Sequence, residues 1–268
     1  MAGILLFSRV PATSLPTLEK HTAMSPNFIG QRMNSLDTSA ILNQNIPASA
    51  VSEQQQEAAR YALLRRLSPS LRHHMVRHLQ PIGLICGVMT HRLARGEPDL
   101  QALSVNVEKI NEFAKAALAQ YIDTSTWLAP EPGVPVALDA GVMECVGLLA
   151  TTLHFRGFRV INEVENLSCP VRQGALRMVL SAALLALTDG LEEPASLTLS
   201  ASVDSETVTL LLQVLPREEG CVEFYDDGYR KLAWSDVQAL ACAEAVVLSR
   251  QDGQLSMRFT IESEASAV

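Results

Sequence analysis

Residues 68–89 read SPSLRHHMVRHLQPIGLICGVM, and the seven positions from Arg72 to His78 hold three histidines and two arginines. A neutral imidazole nitrogen is a nucleophile, and its ordinary pKa of about 6.5 leaves it neutral for much of the time near pH 7. A phosphoryl group is one electrophile that it can accept. Arg77 follows His73 by four residues, so on a helix its guanidinium lies one turn away and can hold the oxygens of a group placed on His73. His74 adds charge beside the same point, and Arg72 and His78 widen the cationic surface into one that suits an acidic partner. The residues that could do chemistry here are therefore His73, Arg77 and His74, with Arg72 and His78 for partner docking.

This patch is an exception in its chain. Lys and Arg total 21 against 29 Asp and Glu, a net charge of −8, which sets a nucleic-acid or anionic-membrane partner aside. The five cysteines (Cys86, Cys145, Cys169, Cys221, Cys242) have no two at zinc-knuckle or redox-pair spacing, so reduced, mostly buried thiols are expected, and no metal or other cofactor is expected in the chain. No apolar run approaches the roughly 18 residues of a membrane span, and the opening MAGILLFSRVPATS has no export leader pattern. A cytoplasmic protein is expected, with a core worth burying at 48% apolar residues.

The histidines need a helix to present them. Residues 1–51 are rich in Ser, Thr, Asn and Pro without a sustained period and read as a flexible arm. A helical hairpin follows over 52–124, with Ser68-Pro69 as a point of restart or bend. On its first helix Leu64, Leu67, Leu71, Met75, Leu79, Ile82, Cys86, Met89 and Leu93 keep steps of three or four. His73 falls midway between Leu71 and Met75 and so turns away from that stripe. The segment ARGEPD ends the first helix, and Leu100, Leu103, Val107, Ile110, Ala114, Ala117 and Tyr121 then form a heptad seam on the second. Two such hairpins bury both stripes as a four-helix bundle, which predicts a homodimer.

After the linker TSTWLAPEPGVPV a second domain is expected over 134–264. Asp139 caps a helix with Val142, Val146, Leu149 and Leu153 inward, FRVINEV is a strand, and a buried helix covers 173–188. SLTLSASV and TVTLLLQVL alternate as a hairpin about Asp204-Ser205. An irregular loop follows, then a helix from the Ser235/Gln238 capping box to about Ser249, and a last strand with Leu255, Met257, Phe259 and Ile261 inward. The order predicts an α+β protein: a long helical hairpin, then a two-layer α/β sandwich with a mixed sheet.

A histidine-bearing hairpin followed by this sandwich resembles the dimerisation and catalytic modules of sensor histidine kinases, over roughly residues 55–262. In the family's H box an acid follows the phosphoaccepting histidine, and apolar residues stand two, six and nine positions on. With His73 as that histidine those offsets are Met75, Leu79 and Ile82, whereas His74 would place Gln80 and Gly83 there. His74 stands where the acid belongs, His78 where a proline is usual, and Pro81 is displaced by three.

The nucleotide half of the resemblance departs further. The family's N box needs an asparagine on the second sandwich helix to hold magnesium, and LRMVLSAALLALTDG has Ala182 and Ala186 near those places. Its Asp-x-Gly-x-Gly turn is replaced by VLPREEG, with Pro216 and Arg217. The second glycine-rich box reads KLAWSDVQAL, with Trp234 where phosphates would be cradled. YDDG at 225–228 comes too late in the loop and reads as a surface turn. What the resemblance implies is a two-component phosphotransfer protein similar to kinase-derived histidine phosphotransferases. It would receive phosphate from, and pass it to, response-regulator receiver domains through His73 without ATP. A non-catalytic pseudokinase scaffold that binds a regulator is the alternative, and an active kinase with unconventional nucleotide contacts is a third.

Overall fold

The computed structural model describes residues 51–96, 99–217, 228–251 and 253–262. The described residues belong to one unit spanning Ile41–Val268. The expected arm, the acidic stretch of the loop before the last helix and most of YDDG lie outside the described residues.

Helix α1 spans Glu53–Ala94. Ser52 starts it with a reciprocal cap: its hydroxyl accepts from the Gln55 N–H at 3.2 Å, and the Gln55 side chain accepts from the Ser52 N–H at 3.0 Å. The helix does not restart at Pro69 but runs unbroken through Pro69 and Pro81. Each proline removes an N–H and crowds the carbonyl four residues back. At Pro69 the surroundings override this, because Arg66, Leu67, Ser70 and Leu71 are all buried and hold the helix from outside.

Helix α2, Leu100–Leu128, returns alongside α1, and the Asp99 carboxylate accepts from the Gln101 and Ala102 N–H groups at 3.1 Å each. It continues four residues past the expected end at 124, because Thr124 and Trp127 find buried places there.

The lower part of α1 shares its core with the sandwich: Ala59, Ala62, Leu63, Leu67 and Leu71 belong to the same apolar cluster as Leu149, Met178 and Leu240. From Arg72 to Ala94 no residue is buried, and α2 is the principal neighbour. The seam divides accordingly. Met75, Ile82 and Met89 are half-buried towards α2, whereas Leu79, Cys86 and Leu93 on its outer edge are exposed. On α2, Leu103, Ile110 and Ala117 are half-buried, and Leu100, Val107 and Tyr121 are exposed.

The sandwich runs β1 (Pro135–Ala137), α3 (Leu138–Phe155), β2 (Arg159–Asn162), β3 (Pro170–Arg172), α4 (Gln173–Asp189), β4 (Ala195–Val203), β5 (Thr207–Pro216), α5 (Trp234–Ala243), β6 (Val247–Gln251) and β7 (Gln254–Thr260). The main sheet has the order β2-β4-β5-β7-β6, with β2 parallel to β4 and the other pairs antiparallel. Its buried face (Leu197, Leu199, Val208, Leu210, Leu212, Leu255, Met257, Phe259) meets α3, α4 and α5, as the alternation predicts.

Several details differ from the sequence reading. β1 and β3 pair antiparallel as a separate two-stranded sheet that was not expected; three-residue strands carry too little pattern to register. Ala137 rather than Asp139 precedes α3. Helix α5 starts at Trp234, where the Asp236 carboxylate accepts from the Ala233 N–H at 2.8 Å, so Asp236 supplies the cap that Ser235 was expected to make. It ends at Ala243 rather than near Ser249, because Ala245 turns at φ 53° and 247–251 then pairs with β7. Finally, α3 is long and apolar enough to cross a membrane by length and composition. Here it is a core helix whose Leu138, Val142, Cys145, Leu149 and Leu153 are buried.

Candidate functional site

Above Leu71 the side chains of α1 point in two directions. At 100° per residue, His73 lies roughly 160° around the helix from the middle of the apolar seam. It is exposed, as are Arg72 and Arg77. His74 and His78 turn towards α2 and are half-buried. The five candidates therefore separate into an outward group, Arg72, His73 and Arg77, and an inward pair. The rings of His73 and His74 remain neighbours, with centroids 6.2 Å apart and edge-on.

The inward position changes the chemistry of His74. Burial, reinforced by the positive charges of Arg77, His73 and His78, lowers its pKa below the ordinary imidazole value, and Asp123 of α2 opposes this in part. The neutral form of the His74 ring is therefore favoured. Asp123 is itself held, by Arg177 at 2.8 Å and by the Gln120 amide, which donates at 3.2 Å. One turn before His73, the Ser70 and Thr152 hydroxyls meet at 3.2 Å, so the site begins just past the contact between α1 and the sandwich.

The flank that carries His73 continues along α1. Leu84, Val88, His91 and Arg95 follow at helical spacing on an open, solvent-facing flank of α1, where Gly83 and Gly87 leave room beside them. Leu84 is 71% exposed. Their offsets of 11, 15, 18 and 22 from His73 place them on its face, a signal present in the helical spacing alone.

The residues of the expected nucleotide boxes lie in and beside the sandwich. On α4, Ala182 is fully buried and Ala186 is half-buried. Leu232 is buried, and its N–H donates to the Asp189 carboxylate at 3.0 Å. Trp234 is half-buried under the Arg250 guanidinium, 5.4 Å from its ring centroid. The Arg217 N–H donates to the Pro194 carbonyl at 3.0 Å. Among the described residues no three His, Cys, Asp or Glu side chains are grouped to hold a metal ion. Among the described residues Cys86, Cys145, Cys169 and Cys242 form no disulfide, and burial pushes the Cys145 thiol up to about 12.

No protein-family model matches the chain, and no curated protein matches it. Solved structures to which it is similar include histidine kinase AdeS of Acinetobacter baumannii, at 13% identity and a TM-score of 0.37, covering 71% of this chain and 98% of that one. A histidine kinase from Burkholderia phymatum STM815 aligns at 18% identity and a TM-score of 0.38, over 80% and 100%. The catalytic domain of histidine kinase ThkA aligns at 10% identity and a TM-score of 0.36, over 48% and 93%. In this chain the hairpin α1–α2 is followed by an α/β sandwich, the fold class expected from the sequence.

Proposed function

We propose that the protein is a cytoplasmic, dimeric histidine phosphotransferase that exchanges phosphate with response-regulator receiver domains without using ATP. The observation that carries this reading is the placement of His73: exposed, nearly opposite the seam through which a second copy would pack, and one turn from the exposed Arg77. A dimer formed through the seam leaves this nucleophile open to a partner.

In the transfer, a lone pair of the neutral His73 imidazole attacks the phosphorus of a receiver aspartyl phosphate. The N–P bond forms as the P–O bond to the carboxylate breaks, and the proton on the other ring nitrogen leaves to solvent. Arg77 neutralises the phosphoryl oxygens, which is most of what such a reaction asks of a protein. His74, turned to α2, stands beside that ring, and Arg72 contributes to docking, whereas His78, expected to dock as well, turns inward with His74. The flank beyond, apolar at Leu84 and Val88 and bearing His91 and the cationic Arg95, suits the apolar and acidic surface of a receiver. A pseudokinase scaffold is the second reading, and the histidine in place of the H-box acid favours it.

Two expected results follow. Light scattering should give twice the 29.1 kDa chain mass, and Ile110→Asp should yield monomer or aggregate, because the charge would fall on the half-buried centre of the seam. A well-folded monomer of the parent at micromolar concentration would exclude the bundle. Titration calorimetry should show no magnesium-dependent ATP binding, since alanines stand at the magnesium position and Trp234 at the phosphate position. A specific millimolar or tighter affinity, with labelling of the protein, would instead favour the kinase reading.

A further inference from the structure

Two clusters centred on buried arginines join the hairpin to the sandwich, and both involve α4; in the first the Arg66 and Asp189 side chains are both buried, whereas in the second Arg177 is 3% and Asp123 40% exposed. At its end, Asp189 Oδ1 receives Arg66 of α1 and Arg156 just after α3, each at 2.8 Å, while Oδ2 accepts the Leu232 N–H at 3.0 Å. The Arg66 and Asp189 side chains are 6% and 3% exposed. Near its start, Arg177 reaches Asp123 of α2 at 2.8 Å, the Thr126 hydroxyl at 2.7 Å and Glu144 of α3, and it stacks on Trp127 at 4.8 Å. Trp127 in turn donates to Glu144 at 2.9 Å. Arg177 and Asp189 are twelve residues apart, about 18 Å along the helix.

We propose that α4 is a strut: its two ends grip α1 and α2 separately, so that the base of the hairpin and the sandwich move as one body. The α1–α2 spacing just below His73 is then set from the sandwich. A single contact would leave a pivot, but two clusters about 18 Å apart, with the apolar face of α1 packed on α5, α3 and α4, leave no free rotation. Arg66, Asp189, Asp123 and Arg177 are positioning residues in this arrangement. It holds whether or not His73 carries phosphate.

Segment-resolved amide hydrogen exchange of the full-length protein tests the strut. In the parent, amides of α1 between Ala59 and Leu71 should open with α4, at the same free energy and denaturant dependence, while those beyond Arg72 exchange faster. Arg66→Met keeps the stem and leaves Asp189 paired with Arg156, so the sandwich stays folded. The 59–71 amides should then exchange at least tenfold faster, with α4 and the main sheet unchanged. Arg177→Met should do the same for 120–128 of α2. Parent amides at 59–71 that open independently of α4, or variants in which neither segment accelerates, would overturn the proposal. If a variant fails to fold, the parent comparison alone decides.

Discussion

Replacing His73 with alanine is expected to abolish phosphoryl transfer from a phosphorylated receiver, by on the order of a thousandfold or more, while leaving fold and dimer intact. The side chain is exposed and lies away from the seam, so its removal creates no cavity and unpairs no buried group. What is lost is the nucleophile. Arg77→Ala should slow transfer by on the order of a hundredfold without abolishing it, since charge stabilisation goes and the attacking nitrogen stays. His74→Ala should have the smaller effect, because that ring faces α2. The measurement is decay of the receiver's aspartyl phosphate with each variant. An unchanged rate with His73→Ala would reduce the helix to a docking face and leave the scaffold reading in place.

The second large effect is on stability. Asp189→Ala should cost about 3–5 kcal/mol, because Arg66 and Arg156 would face a buried methyl group and the Leu232 N–H would lose its acceptor. That equals or exceeds a large core truncation such as Leu149→Ala, at about 2–5 kcal/mol. Urea unfolding should show a lower midpoint with an unchanged slope. A loss under about 1 kcal/mol would mean that the guanidiniums reach water or other partners at little cost.

The hairpin, the outward turn of His73 and the long strands could be read from the chain because each depends on local periodicity. Met75 and Ile82 sit on the expected stripe, and Leu199 stands opposite Leu212 across the β4–β5 pair as the alternation requires. What could not be read depends on partners far away in sequence. Arg66 and Asp189 are 123 residues apart, and nothing near Arg66 distinguishes a clamping arginine from its exposed neighbour Arg65. The passage of α1 through Pro69 has the same origin, since packing on the sandwich outweighs a local helix-breaking preference. Ala245 turns the chain into β6 through a left-handed backbone that an alanine in an apolar run does not announce. At the site, the segregation of His74 and His78 from His73 follows from where α2 lies, which the stripe on α1 only outlines.

The central claim is that His73 takes phosphate from an aspartate. The direct measurement is to incubate the parent protein, without ATP, with a phosphorylated receiver domain, and to locate the transferred label by mass spectrometry under alkaline conditions. An acid-labile phosphoryl group on His73, appearing as the receiver loses its own, is the predicted result. Label on His74, His78 or His91 instead, or a parent protein that acquires no acid-labile label from any receiver of its own organism, would contradict it.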